Sequence, residues 1–563
     1  MIVDSVESGN NALQDVLTFG KYTGLELNYG KTKILPLNID INQTRCIDNL
    51  EWTYEPITYL GVVLCMKESD FNRLKWSVKI DKIKRIVDLW KMRNLTYYGK
   101  VTIVNSLLIS QLIYLATCYN IPETHIKELN KIIFSFLWNS KREKVKRVVI
   151  FNPISQGGLG MIDLDSRIKS LKLSLLPKIL NDSKKPWKNI CKYWLNKIGG
   201  VPLCLHYNCS ATNMILLCKK HKLPPFYVDL LATWAEIHFV NLLQVADVSN
   251  EIIWNNTNIR YLNETLYFKD WVKNGILQVK QLIENGSWKN HEQIYKIMNS
   301  NSLLISFQYG KIKKALPPVW FDYLCTRQSM QNTQEDLYKK EVFQINTGDS
   351  LKLVSVKTKQ FYLLVLDAKK CELGVIYFWQ ERLNLPQQFN WNDLFKFRFG
   401  KLFNNNVKQY SFKLLHRILP FKENLVKWKI VSDMVCRQCN ELETILHVLL
   451  YCPDIKLYWK KITGMIYSLF HIDIVVDEKI ILTGYDVCDK NFLLPNLMLI
   501  FAQYTIYRMY VRSNYTAKAT NVYILLAEFK KDLLINLKFL VKKKLIDLSQ
   551  NQLSDLVKNI YTY

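Results

Sequence analysis

Acidic residues are what this sequence is short of. Forty-nine Asp and Glu stand against 76 Lys and Arg, a formal charge of +27. An excess of that size, spread along the chain, implies a polyanionic partner, with nucleic acid first and an anionic membrane surface second. Residues Met1–Asn11 carry neither a basic n-region nor an apolar h-region, so no signal peptide is expected. Clean apolar runs are missing too. The most membrane-like stretch, Phe492–Tyr510, is interrupted by Pro495, Asn496, Gln503 and Arg508. It predicts a buried or interfacial helix rather than a span, and no membrane partner is expected. The thirteen cysteines are an odd count without a secreted-scaffold pattern. That excludes a disulfide framework and implies a reducing compartment, nuclear and cytoplasmic. Neither G-x-x-x-x-G-K-[ST] nor H-E-x-x-H occurs, which removes two common catalytic frameworks.

What is present supports folding. The chain has 563 residues, 49% of them hydrophobic and 22% charged. That is enough for three or four domains with real cores. One cysteine cluster stands apart: Cys436-Arg437-Gln438-Cys439, then His447, then Cys452, spaced C-x2-C-x7-H-x4-C. Three thiolates and one imidazole are the closed N/S set of a structural zinc site. A redox C-x-x-C needs a βαβ context that the flanks do not suggest. The first pair predicts a tight turn, and Glu443–Leu450 a short helix. Zinc knuckles recur in nucleic-acid binding, where they present basic and aromatic groups to unstacked bases.

The rest reads as mainly α with small β elements, an α+β chain. A helix over 8–22 ends at Gly24, and a short strand and a turn at Tyr29-Gly30 follow. A strand pair surrounds Ile57–Leu64. Three helices come next, with apolar stripes at spacings of three and four. The first carries Ile80, Ile83, Val87 and Trp90. The second opens after Gly99 and carries Val101, Val104, Leu108, Leu112 and Leu115. The third opens after Pro122 and carries Ile126, Leu129, Ile133, Phe136 and Leu137. A basic run follows: Lys141, Arg142, Lys144, Lys146 and Arg147 against the single acid Glu143. A solvated face is the ordinary meaning of such a run. Its place between a helix bundle and Gly157-Gly158-Leu159-Gly160 favours contact with a phosphate backbone. Alternation over 351–365 predicts a strand or short hairpin. Val522–Leu545 predicts a long basic helix.

These residues, taken in order, resemble the C-terminal portion of the reverse transcriptases of non-LTR (LINE-like) retrotransposons. Gly24, Leu25, Leu27, Asn28, Lys31 and Thr32 match that family's G-L-x-[IL]-N-x-x-K-T element. Tyr59, Leu60 and Gly61 match its primer-grip turn. Asn152-Pro153 through Gly157-Gly158-Leu159 matches N/K-P-x-x-x-G-G-L. Leu223–Tyr227 with Trp234, Ile253–Asn256 with Ile259, and Phe268, Trp271 and Gly275-Ile276 are similar to its connector. Lys413–His416, Leu425, Trp428, Cys436, Cys439, Glu443-Thr444, His447 and Cys452 resemble its reverse-transcriptase-associated zinc-binding module.

The resemblance implies a palm remnant over 1–70, a helical thumb over 71–150 and a connector over 151–350. A zinc-binding module over 351–475 and a helical tail over 476–563 complete it. It also implies binding of RNA, an RNA–DNA hybrid or target DNA, with structural Zn2+. One departure decides the biochemistry. No Tyr/Phe-x-Asp-Asp occurs anywhere in the sequence. Polymerases need such carboxylates to hold two metal ions. Mg2+, the remaining palm, the fingers and the endonuclease are therefore expected only in a longer parent enzyme. Lys31 is the one residue that the resemblance places near chemistry, as a palm general acid. A strand-edge lysine is the plainer reading. The rival to an enzyme fragment is a non-enzymatic, zinc-dependent nucleic-acid-binding protein derived from such an element, or a pseudogene fragment.

Overall fold

The computed structural model describes residues 3–36, 50–59, 61–64, 76–140, 142–181, 184–200, 203–238, 248–326, 342–344, 350–369, 373–487, 489–516 and 521–562. Helices dominate, and every sheet among the described residues is a two-stranded pair. The expected mainly α architecture with small β elements is the one found. The chain divides into two compact units, each made of two pieces. One is 1–93 with 108–132, and the other is 94–107 with 133–563.

In the first unit, α1 (Val6–Thr23) opens under a Ser5 cap that accepts from the Ser8 amide. It ends at Gly24. Residues 25–28 form no strand, contrary to expectation. Lys31 and Thr32 instead donate backbone N–H groups to the Asn28 carbonyl, closing a turn. Strands β1 (Lys33–Ile34) and β2 (Glu51–Trp52) pair in parallel. β3 (Ile57–Tyr59) and β4 (Val62–Leu64) form the expected hairpin, with Tyr59 opposite Val62. Its turn needs Gly61, whose φ is 76°. Helix α2 (Val78–Lys91) buries Ile80, Ile83 and Val87 and packs on residues 110–118. Trp76 is fully buried and donates to the Asn120 carbonyl at 3.2 Å.

The second predicted helix starts earlier than Gly99. It runs Tyr97–Cys118 as α3, because Thr96 caps it by accepting from the Gly99 amide. A π-helical stretch, Val104–Leu108, lies inside it. Among the described residues this is the one helix long and apolar enough to cross a bilayer. Val101, Val104, Leu108, Leu112 and Leu115 are buried within the protein, which gives its apolar character another cause. The third predicted helix is α4 (Glu123–Trp138). The chain passes between the two units within α3 and within α4.

The large core of the second unit lies over 173–365, around Trp234, Trp254, Trp271, Tyr207 and Tyr309. Each tryptophan N–H is satisfied: Trp234 by Leu205 O, Trp254 by Ile276 O and Trp271 by Gln308 Oε1. Asn256, fully buried, donates to Ile252 O and Glu251. The connector-like motif residues Trp234, Trp254, Asn256 and Trp271 are thus folding residues. Strand β6 (Ser350–Lys352) pairs with β5 (Val342–Gln344), but the strand predicted over 351–365 ends at 352. Helix α5 (Thr358–Asp367) replaces it, because Gln360 accepts from the Lys357 amide and starts a helix there. Helix α6 (Asn405–Leu415) packs on residues 97–103, and the Tyr97 amide donates to Gln409 Oε1 at 2.7 Å. The membrane-like stretch lies in the core helix Leu493–Thr516, whose residues 497–502 are buried. The long C-terminal helix spans Val522–Lys542 and packs on it.

Candidate metal centre

The metal candidates converge. One donor atom from each of Cys436, Cys439, His447 and Cys452 lies within 4.8 Å of the others. Zn–S bonds of about 2.3 Å place tetrahedral donors roughly 3.5–3.8 Å apart, so the quartet fits such an ion with small adjustment. Cys439 Sγ already stands 3.3 Å from His447 Nε2.

Backbone geometry builds the site. Val435 and Leu442 form an antiparallel bridge. The Cys436 amide donates to Glu441 O at 2.7 Å, and the Asn440 amide to Cys436 O at 3.0 Å. Asn440, at φ 60°, closes the tight turn expected of the C-x-x-C pair. The helix expected over 443–450 begins later. Residues 447–451 are π-helical, and the Cys452 amide donates to His447 O at 2.9 Å. This i→i+5 bond explains the H-x4-C spacing. In an α-helix, residue i+5 lies about 140° around the axis from i. A π-turn returns it to the same side. Pro453 then starts the next helix, α8 (Pro453–Phe470), after α7 (Lys422–Lys427) upstream of the turn.

A surrounding network holds the loop. Glu443, 3% exposed, accepts from the Lys422 amide at 2.9 Å and from the Tyr510 hydroxyl. Tyr510 belongs to α9 (Leu493–Thr516), whose residues 497–502 are buried. Lys422 Nζ donates to Asp433 and to Val435 O. The Glu423 carboxylate accepts from the Ile445 amide at 3.1 Å. Lys422, Glu423, Asp433 and Tyr510 were not legible as site residues, since nothing in the sequence ties them to the cysteines. Burial and the neighbouring sulfurs push Cys452 up to about 12 and raise Cys436. Three thiolates therefore need a cation among them, and four donors leave it no open position for catalysis.

His416 is no fifth ligand, in keeping with the packed histidine expected there. Its Nε2 lies 2.7 Å from Gly157 O. A carbonyl only accepts, so Nε2 carries the proton. This bond ties the Lys-x-x-His helix to the Gly157-Gly158 turn. At Gly158 a Cβ would sit 2.0 Å from Asn152 O, so only glycine fits.

The other predicted residues do not gather into one site. Lys31 lies exposed on the Asn28 turn rather than on a strand edge. Tyr59 is 65% exposed beside Gly61, and Leu60 lies outside the described residues. Within the basic run Lys141 also lies outside them. Arg142 donates to Trp428 O at 3.2 Å, and Lys144 sits 4.5 Å from the Trp428 ring centroid. Arg147 pairs with Glu143 and covers Phe134. Lys146 is exposed. The run is therefore not a plain solvated stripe, because three of its cations are held by the protein.

Fold and site together define a mainly α chain with a Cys3His cluster that could hold a metal ion. No family model matches it. It is similar to the Transposon TX1 uncharacterized 149 kDa protein of Xenopus laevis, 20% identical over 520 residues. The aligned stretch covers 82% of this chain and 37% of that protein, so the chain spans little more than a third of the relative's length.

Proposed function

We propose that this chain is transposon-derived and acts as the C-terminal portion of a non-LTR retrotransposon reverse transcriptase. In this reading it binds RNA or an RNA–DNA hybrid and carries a structural zinc at Cys436, Cys439, His447 and Cys452. The observation that carries the reading is that cluster, folded by a π-turn within a chain similar over most of its length to a transposon protein. The order of motifs and the +27 charge support it. Zinc suits the site because a closed Cys3His set saturates a tetrahedral ion. The sequence contains no Tyr/Phe-x-Asp-Asp to hold catalytic magnesium, so the chain by itself should not extend a primer.

The test is filter binding of RNA to the full chain over a series of salt concentrations, beside a primer-extension assay. Tight binding at low salt, a steep fall with salt and no extension are expected. Each single-strand phosphate contact contributes a log–log slope of about −0.7. Absence of RNA affinity at low salt would overturn the nucleic-acid reading. Templated incorporation by a clean preparation, abolished by Lys31→Ala, would overturn the fragment reading.

A further inference from the structure

Among the described residues several buried or half-buried lysines meet carboxylates, while Lys188 donates to the backbone and side-chain oxygens of Asn181. Lys172 pairs with Asp229, Lys369 with Asp163 and Asp165, and Lys422 with Asp433. Three more also lack a carboxylate, and they lie close enough for their charges to act on one another. Lys100, 4% exposed, donates only to neutral acceptors: Leu137 O at 3.1 Å and Asn139 Oδ1 at 2.6 Å. Lys413 donates to the Tyr507 hydroxyl at 3.0 Å and lies 5.5 Å from the Tyr97 ring centroid. Tyr97 stands one turn before Lys100 on α3, and its ring meets Trp138, between Leu137 and Asn139. Lys144 lies over Trp428, whose carbonyl accepts from Arg142. Among the described residues none of the three ammoniums has a carboxylate partner.

The electrostatics agree with that geometry. Burial, then the charges of Lys144 and Lys413, brings Lys100 down to about 8. Burial brings Lys413 down to about 8. Burial and Lys413 lower Lys144. Part-buried like charges without a counter-charge are costly, and folded proteins keep such arrangements where an anion completes them. Lys100 has a structural task as well, since it satisfies the Leu137 carbonyl in the last turn of α4. Among the described residues Lys413 meets only the Tyr507 hydroxyl and the Tyr97 and Tyr507 rings, and Lys144 only the Trp428 ring.

We infer that Lys100, Lys144 and Lys413 form one oxyanion site, and that it holds a backbone phosphodiester of bound nucleic acid beside the ring of Trp428. Residues from α3, from the basic run and from the helix preceding the zinc module build it, so three distant stretches of sequence meet on one phosphate. The source of the phosphate rests on the function proposed above. The oxyanion chemistry does not.

The test leaves Lys100 in place and changes the other two in the full chain, as Lys144→Gln with Lys413→Met. The probes are a fluorescent single-stranded oligouridylate, titrated at several salt concentrations, and inorganic pyrophosphate. The double variant should bind RNA about tenfold more weakly at low salt. Its log–log salt slope should be flatter by about 0.7, the share of one phosphate contact. Its melting temperature should equal or exceed that of the parent, because unpaired part-buried cations are gone. A structural role predicts the reverse, a lower melt with unchanged binding. Lys144→Arg with Lys413→Arg should keep the parent slope. RNA binding by the double variant with parental affinity and slope would overturn the site and leave the nucleic-acid reading standing. A parent that ignores RNA but binds pyrophosphate through these lysines would keep the site, with a free phosphate compound as its source, and sink that reading. Binding of neither probe would end both.

Discussion

At the scale of single residues, His416 makes the sharpest forecast. Desolvation holds it down to about 4, against an ordinary 6.5, while its Nε2–H serves the Gly157 carbonyl. A base whose folded pKa is depressed loses stability as pH falls, because the unfolded chain takes the proton first. Its contribution is complete above pH 6.5 and fades between 6.5 and about 4, by at most about 3 kcal/mol. His416→Gln, which keeps a donor and cannot titrate, should flatten the melting temperature across that window. A parent and variant with parallel acid limbs would show that the proton is taken elsewhere. At the metal cluster, Cys436→Ser should reduce bound zinc from one per chain and lower the melt, since metal binding and folding are coupled there. Unchanged zinc content by elemental analysis would refute the ligand role.

Elements show where the sequence was readable and where it was not. Apolar periodicity located α2 and α4 well, because Ile80, Ile83, Val87, Leu129 and Ile133 do face a core. Ligand types and spacing marked the Cys436–Cys452 loop. The π-turn was hidden, because a five-residue step inside an apolar run carries no mark of its own. Alternation misled at 351–365, where the start of α5 at Lys357 and Gln360 outweighed a short β-like pattern. Lys100 and Lys413 were invisible as a pair, since a lysine in a helix reads as surface until tertiary packing buries it. Helix α9 gives the prediction at this scale. Tyr510→Phe keeps the ring against Phe421 and removes only the hydroxyl that serves Glu443. Groups one step removed from the ligands tune metal affinity by 10- to 100-fold. Zinc competition with a chelator should show about a tenfold weaker site, and an unchanged affinity would mean that the Lys422 amide alone holds Glu443.

The whole molecule consists of two units that share one chain in alternation. All four metal candidates belong to the larger unit. Chelation should therefore move one thermal transition and leave that of the smaller unit in place, a split that calorimetry with and without chelator can resolve. A single transition that shifts as a block would mean that the units unfold as one cooperative body. The net charge belongs to this scale too: +27 over 563 residues favours encounter with polyanions at long range. In the proposed oxyanion site, side chains such as Lys413 select the phosphate.

The interleaving of the two units also sets a timetable for synthesis. The Tyr97 amide finds its acceptor in Gln409, 312 residues further along. A ribosome adding about 5–20 residues per second needs roughly 15–60 s to make that stretch. Until then the apolar start of α3 has left the exit tunnel with the helix it packs against not yet made. The start of α3 therefore waits for its packing partner during synthesis, and slowing translation before residue 405 should lengthen that exposure.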